Sequence, residues 1–165
     1  CLDAIEVSNK PVAISHANPN FFHRSKRNID TDILQKLVKK NGFIGLSLYP
    51  YHLKNLGDCT IEDFCEMIKE LVNLIGEDNI GIGSDLCLNW PDDVVMWMRN
   101  GKWTKNIDYG ESKDKNPKWP KLPSWYKQPS DLNNLFYLMC ENNIPEKVST
   151  KIIGQNWFNF MKNQF

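Results

Sequence analysis

The chain has 165 residues, with 20 Lys+Arg balanced by 20 Asp+Glu and 41% hydrophobic residues. That length can bury a real core in one domain. The balanced charge leaves no electrostatic footprint for nucleic acid, and the longest apolar runs are strand-sized, too short to span a bilayer.

Leu2–Val7 reads as the end of a helix, so the chain opens inside an element, as a fragment of a longer fold would. Pro11–Ser15 is apolar and β-branched, which predicts a buried strand, with His16 and the Asn/Pro cluster Ala17–Asn20 forming the loop after it. Asp30 is placed to cap a helix whose apolar face is Ile33, Leu34, Leu37 and Val38, and Gly42 ends it. Phe43–Tyr49 is a continuous apolar run closed by Pro50, a second buried strand. Thr60 and Asp63 form a capping-box pattern before a helix carrying Ile61, Phe64, Ile68, Leu71, Val72 and Ile75, which Gly76 stops. Asn79–Ser84 is a third strand, whose glycines allow close approach of a backbone or ligand.

From about 86 to 130 the chain changes character. It holds Trp90, Trp97, Trp103, Trp119 and Trp125, punctuated by Pro91, Pro117, Pro120, Pro123 and Pro129. A loop insertion anchored by tryptophans is expected there, with Val94–Arg99 as a short helix and a lid over the strand ends as its functional version. Helical spacing returns over Asp131–Glu141, then over Pro145–Ile153, which Gly154 is expected to break. Trp157, Phe158, Phe160 and Met161 close the chain in a short helix, and Asn156 is expected to bond its local backbone.

The order β-α-β-α-β is that of an α/β fold with a parallel sheet. Parallel strands send their C-terminal ends to one rim, which gathers His16, Tyr49 and Asp85. A His at that position is a candidate for chemistry; its plain alternative is a hydrogen bond to a nearby turn. The five cysteines, Cys1, Cys59, Cys65, Cys87 and Cys140, are odd in number and contain no CxxC pair. That argues against a disulfide framework or a zinc ribbon and for a reducing, cytoplasmic setting. Cys65 and Cys140 fall on apolar helix faces and read as buried small hydrophobes. His52 is placed to line a pocket near Tyr49 and Tyr51, while His23 reads as a solvated loop residue.

Four motifs, Ser15-His16-Ala17-Asn18, Arg27-Asn28 eleven residues after the His, Gly81–Asp85 (GIGSD) and Gly154–Trp157 (GQNW), together resemble the membrane (renal-type) dipeptidase family of zinc peptidases. The likeness is greatest to bacterial members, which share Ser47–Pro50 (SLYP) and a tryptophan-rich loop. It implies that the chain is the C-terminal portion of a (β/α)8 TIM-type barrel with a two-zinc site at the strand ends. It further implies His16 as one metal ligand, Arg27 and Tyr49 as substrate-binding residues, and Asp85 as both catalytic and substrate-binding. The substrate implied is a dipeptide or small N-acyl amino acid.

The family's other ligands lie upstream, so this chain would supply part of the site and need a missing N-terminal half-barrel. A homo-oligomer is compatible with this. Such a half-barrel predicts an apolar flank along the first strand. Gly83–Leu88 keeps the first Asp of the family's GGDFDG pattern and lacks the second. Two alternatives stand beside the dipeptidase: a non-catalytic or partner-binding half-barrel, and a metal-dependent amidohydrolase of another substrate class.

Overall fold

Three short strands, β1 (Ala13–Ala17), β2 (Phe43–Leu46) and β3 (Ile80–Ile82), pair in parallel in the order β1-β2-β3. The computed structural model describes residues 1–99 and 118–163. Trp103, Pro117 and the polar stretch between them lie outside the described residues. The chain divides into two compact units, Cys1–Leu86 with Leu122–Phe165, and Cys87–Lys121.

In the first unit, each strand connects to the next through a helix, as parallel neighbours require. The first helix, α1 (Leu2–Val7), is held from below by Lys40, whose Nζ donates to the Ile5 and Glu6 carbonyls at 2.6 and 2.8 Å. Those carbonyls have no intrahelical partner, so a lysine is a natural cap. Helix α2 (Thr31–Lys39) buries Leu34 and Leu37 completely. Its Asp30 side chain makes no cap bond; Oδ1 instead accepts from Asn20 Nδ2 at 2.7 Å. Helix α3 (Ile61–Ile75) begins where Thr60 Oγ1 accepts from Asp63 N at 3.1 Å and ends at Gly76, whose φ of 81° favours glycine. Only half of the capping box forms, because the Asp63 carboxylate pairs with Lys54 at 2.6 Å.

The apolar face of α3 puts Phe64, Ile68 and Leu71 out of solvent. Each fully buried side chain of this size is worth about 1.5–3 kcal/mol. Phe64 stacks on Trp125, whose indole donates to the Cys59 carbonyl at 2.8 Å and so ties the returning chain to the start of α3. Cys59 and Cys65 are buried, and burial pushes both thiols up to about 12, which leaves them inert. Cys140 is only half-buried, short of the burial its spacing implied.

In the second unit, α4 (Asp92–Arg99) starts two residues before the expected helix, and Trp119 donates its indole to the Trp90 carbonyl at 2.8 Å.

Helices α5 (Asp131–Glu141), α6 (Glu146–Thr150) and α7 (Asn156–Lys162) complete the first unit. Gly154 does not break the chain. Lys151–Gln155 forms a single π-type turn that carries α6 into α7 without a loop. Asn156 does not bond locally either. Its Nδ2 donates to the Glu77 and Ile80 carbonyls, at 2.7 and 2.8 Å, anchoring α7 to the start of β3. Trp157 and Phe160 then pack on the Phe43 ring at 4.4 and 5.3 Å between centroids, and Trp157 Nε1 donates to the Ile82 carbonyl at 2.8 Å. Gly81 makes that possible, since a Cβ there would meet Phe43 and Trp157 atoms at 2.7 Å. Phe158 and Met161, on the other side of α7, are exposed.

The first strand starts two residues later than the apolar run implied, and it includes His16. The second and third strands are also shorter than their apolar runs. No exposed large apolar side chain lies on β1 itself, whose exposed member is Ser15, while Val7 before it and Phe21 after it are exposed.

Candidate active site

The position of His16 follows from an irregularity in β1. Ile14 pairs with Ile44 and Ala17 with Leu46, so β1 takes three steps where β2 takes two. The extra residue is a β-bulge at Ser15–His16, and bulges re-aim side chains beside functional sites. Freed from the ladder, the Ser15 carbonyl turns over the sheet face, where a Cβ on Gly45 or Gly83 would overlap it. The glycines of β2 and the β3 exit are therefore what the bulge requires.

His16 meets two other predicted residues. Arg27 Nη2 lies 3.0 Å from His16 Nε2, and Asp85 Oδ2 lies 4.0 Å from the same nitrogen. A guanidinium nitrogen only donates, so Nε2 holds a lone pair here. The ring proton is then on Nδ1, which donates to Ser15 Oγ at 2.9 Å. Asp85 follows β3 with φ of 52°, a left-handed conformation that Asp tolerates better than most residues. Partial burial holds its carboxyl above the usual carboxylate range, while His16 and Arg27 pull it back. Leu48 N donates to the Ser84 carbonyl at 3.2 Å, and the buried Tyr126 hydrogen-bonds the Ser84 side chain, which braces the backbone next to Asp85.

Tyr49 is nearly buried, 8% exposed, with its ring 5.9 Å from Tyr51 and 5.3 Å from His52. His52 is not a pocket-lining side chain, for it is 3% exposed. Ser47 Oγ accepts from Tyr49 N at 3.2 Å and lies 2.8 Å from His52 Nδ1, within hydrogen-bond distance. Burial first, then the charges of Arg27, His16 and His23, push its pKa down to about 4. Asn18 and Asn28, to which the sequence reading gave no role, are both buried between these loops.

The donor set of these residues decides whether they form a metal centre by themselves. In that tautomer His16 could serve as a ligand through Nε2, whose lone pair Arg27 Nη2 now meets at 3.0 Å. Among the described residues, however, no group of three or more His, Cys, Asp or Glu could hold a metal ion, and a zinc site takes at least three protein ligands. These residues alone do not make one.

Residues 1–92 match the model of the family described as membrane dipeptidase, peptidase family M19. The chain belongs to the membrane dipeptidase family. It is 27% identical to the dipeptidase tcpJ of Claviceps purpurea over 120 residues, covering 65% of this chain and 28% of that protein. Its fold is similar to an amidohydrolase from Pseudomonas aeruginosa, with a TM-score of 0.83 and 29% identity over 97% of this chain and 47% of that one. A metallopeptidase from Rhodobacter sphaeroides, solved with a phosphinate mimic of the dipeptide L-Ala-D-Ala, shares the fold with a TM-score of 0.73 at 18% identity, covering 99% and 39% of the two chains. The chain thus spans less than half the length of each of these relatives. Among the described residues no helix is long and apolar enough to cross a membrane.

Proposed function

We propose that this family member supplies the substrate-binding part of a metal-dependent dipeptidase site, set on part of a (β/α)8 barrel. The observation that carries the reading is the meeting of Arg27 and Asp85 on His16 Nε2, at 3.0 and 4.0 Å, where β1 ends and beyond β3. Membership in the family and similarity to a metallopeptidase solved with a dipeptide mimic support it.

In this reading His16 is one metal ligand, and the remaining ligands come from outside this chain, on a preceding half-barrel. Zinc, two ions in the complete site, would supply Lewis acidity toward a peptide carbonyl and toward water. Arg27 binds the C-terminal carboxylate of a dipeptide or small N-acyl amino acid; its planar, always-charged fork suits that group. Because Arg27 and His16 are adjacent, the carboxylate is held next to the bond that is cut. Asp85 takes the amine side. Its upward-shifted carboxyl can hold a proton more readily than an exposed aspartate and pass it to the leaving amine. Tyr49 forms part of the wall behind the substrate.

His16→Ala in the native protein, purified from its source, tests this. Zinc measured by elemental analysis should fall by about one equivalent per chain, with turnover nearly abolished. Unchanged zinc content would remove His16 from the metal site.

A further inference from the structure

Two buried asparagines hold the loops that bear His16 and Arg27, and they are hydrogen-bonded almost entirely to backbone. Asn18, two residues after His16, is fully buried. Its Nδ2 donates to the Ser47 and His52 carbonyls at 2.9 and 3.1 Å, and its Oδ1 accepts from Ser47 N at 3.2 Å. Asn28, directly after Arg27, is 6% exposed. Its Nδ2 donates to the His23 and His52 carbonyls at 2.6 and 3.0 Å. Its Oδ1 accepts from Asn18 N at 3.0 Å, which links the exit of β1 directly to the Arg27 loop.

The His52 carbonyl is the common point, accepting from both amides. Three loops therefore share one node: the end of β1, the 19–28 loop and the turn after β2. The backbone bonds Ile29 N to Asn18 O and Asn20 N to Ile29 O, both 2.8 Å, close the base of the 19–28 loop. They leave its tip, from His23 to Arg27, to be fixed by Asn28. Ser25 Oγ accepts from Arg27 N and Asn28 N at 3.3 and 3.2 Å, and Ser25 N donates to Asn20 Oδ1 at 3.2 Å, so the tip is a chain of short-range turns that the Asn28 side chain joins to the exit of β1 and to the turn after β2.

We infer that Asn28 and Asn18 are positioning residues that set the spacing of the Arg27 guanidinium from His16, and through it the reading of a substrate carboxylate. This rests on the dipeptidase reading above. Asparagine is required because each site needs an acceptor for one backbone N–H and donors for two carbonyls, a set no other side chain of that size offers.

Asn28→Asp keeps size and acceptor and removes both donors. In the native protein it should raise KM for a free-acid dipeptide by about 10- to 100-fold, the loss that a misplacement of about 1 Å brings. The kcat for that substrate and the kcat/KM for the dipeptide amide should stay within about threefold. In an Arg27→Ala background, Asn28→Asp should add no further rise in free-acid KM. A loss shared equally by acid and amide, or additive to Arg27→Ala, would make Asn28 a general structural residue and overturn the inference. Asn18→Asp, which removes the donors to Ser47 and His52, should give the same split and stands in if the first variant does not fold. If the native protein hydrolyses no dipeptide, the dipeptidase reading fails and crystal structures of the variants decide the positioning claim. Separation of Arg27 Nη2 from His16 Nε2 beyond hydrogen-bond reach supports it, and an unchanged contact overturns it.

Discussion

Acid should destabilise this fold through one buried ring. His52 is 3% exposed, has its Nδ1 2.8 Å from Ser47 Oγ, and lies in the electrostatic field of the Arg27 guanidinium, with His16 and His23 nearby. Its folded pKa is about 4, against 6.5 in an unfolded chain. The folded state therefore binds fewer protons than the unfolded state between those values, so stability rises with pH across that window. The contribution is complete above pH 6.5 and is lost as pH falls toward about 4. A gap of about 2.5 pH units at 1.36 kcal/mol each gives about 3 kcal/mol in all. Most of it is gone by about pH 4.5. His52→Asn keeps an acceptor for Ser47 and titrates nowhere in the range. Urea midpoints measured from about pH 7.5 to about 4.5 should fall more steeply for wild type than for His52→Asn, the two curves converging by roughly that 3 kcal/mol. Asp85 titrates in both proteins and cancels in the difference. Parallel pH profiles would show that His52 is not held neutral by the fold, and the geometry given for the turn after β2 would be wrong.

Three further outcomes follow from the same geometry. Gly83→Ala drives a Cβ into the Ser15 carbonyl, so it should cost about 1–3 kcal/mol in denaturant melts and lower activity with it, whereas Gly154→Ala, with open space around it, should be neutral or stabilising. Asp85→Asn should cut kcat by about 10²- to 10⁴-fold yet raise the urea midpoint at neutral pH, because burial disfavours the charged carboxyl it replaces. Asn156→Ala strips two donors from the Glu77 and Ile80 carbonyls and should cost about 1–3 kcal/mol by the same melts.

The sequence was most legible where one local rule decided the outcome. Helix α5 falls on the residues its spacing predicted, and α3 starts at its Thr60 cap and stops at Gly76. The parallel α/β order was likewise readable, since apolar runs alternated with amphipathic ones. What failed depended on partners distant in sequence. Asn156 looked local, but its carbonyl partners lie more than 70 residues away. Gly154 reads as a breaker, but one wider turn absorbs it and lets Trp157 reach the sheet. The bulge at Ser15–His16 leaves no signature in β1 itself, and its signal sits in the glycines of other strands, Gly45 and Gly83. His16 and Asp85 were legible as strand-end residues and Arg27 through motif resemblance, and the structure brings the three together. Asn18 and Asn28 stood inside those same motifs, but their role depends on the backbone of a third loop, which spacing does not reveal.

The most direct test of the central claim compares a dipeptide with its C-terminal amide, in the native protein and in Arg27→Ala. If Arg27 reads the substrate carboxylate, the variant should raise KM for the free acid by about 10- to 150-fold, the equivalent of roughly 1.5–3 kcal/mol for a hydrogen bond to an ionised partner. The amide should bind the native protein about as weakly as the free acid binds the variant, and Arg27→Ala should leave the amide nearly unaffected. Equal losses for acid and amide would mean that Arg27 does not hold the carboxylate, and the dipeptidase reading would lose the contact on which it rests.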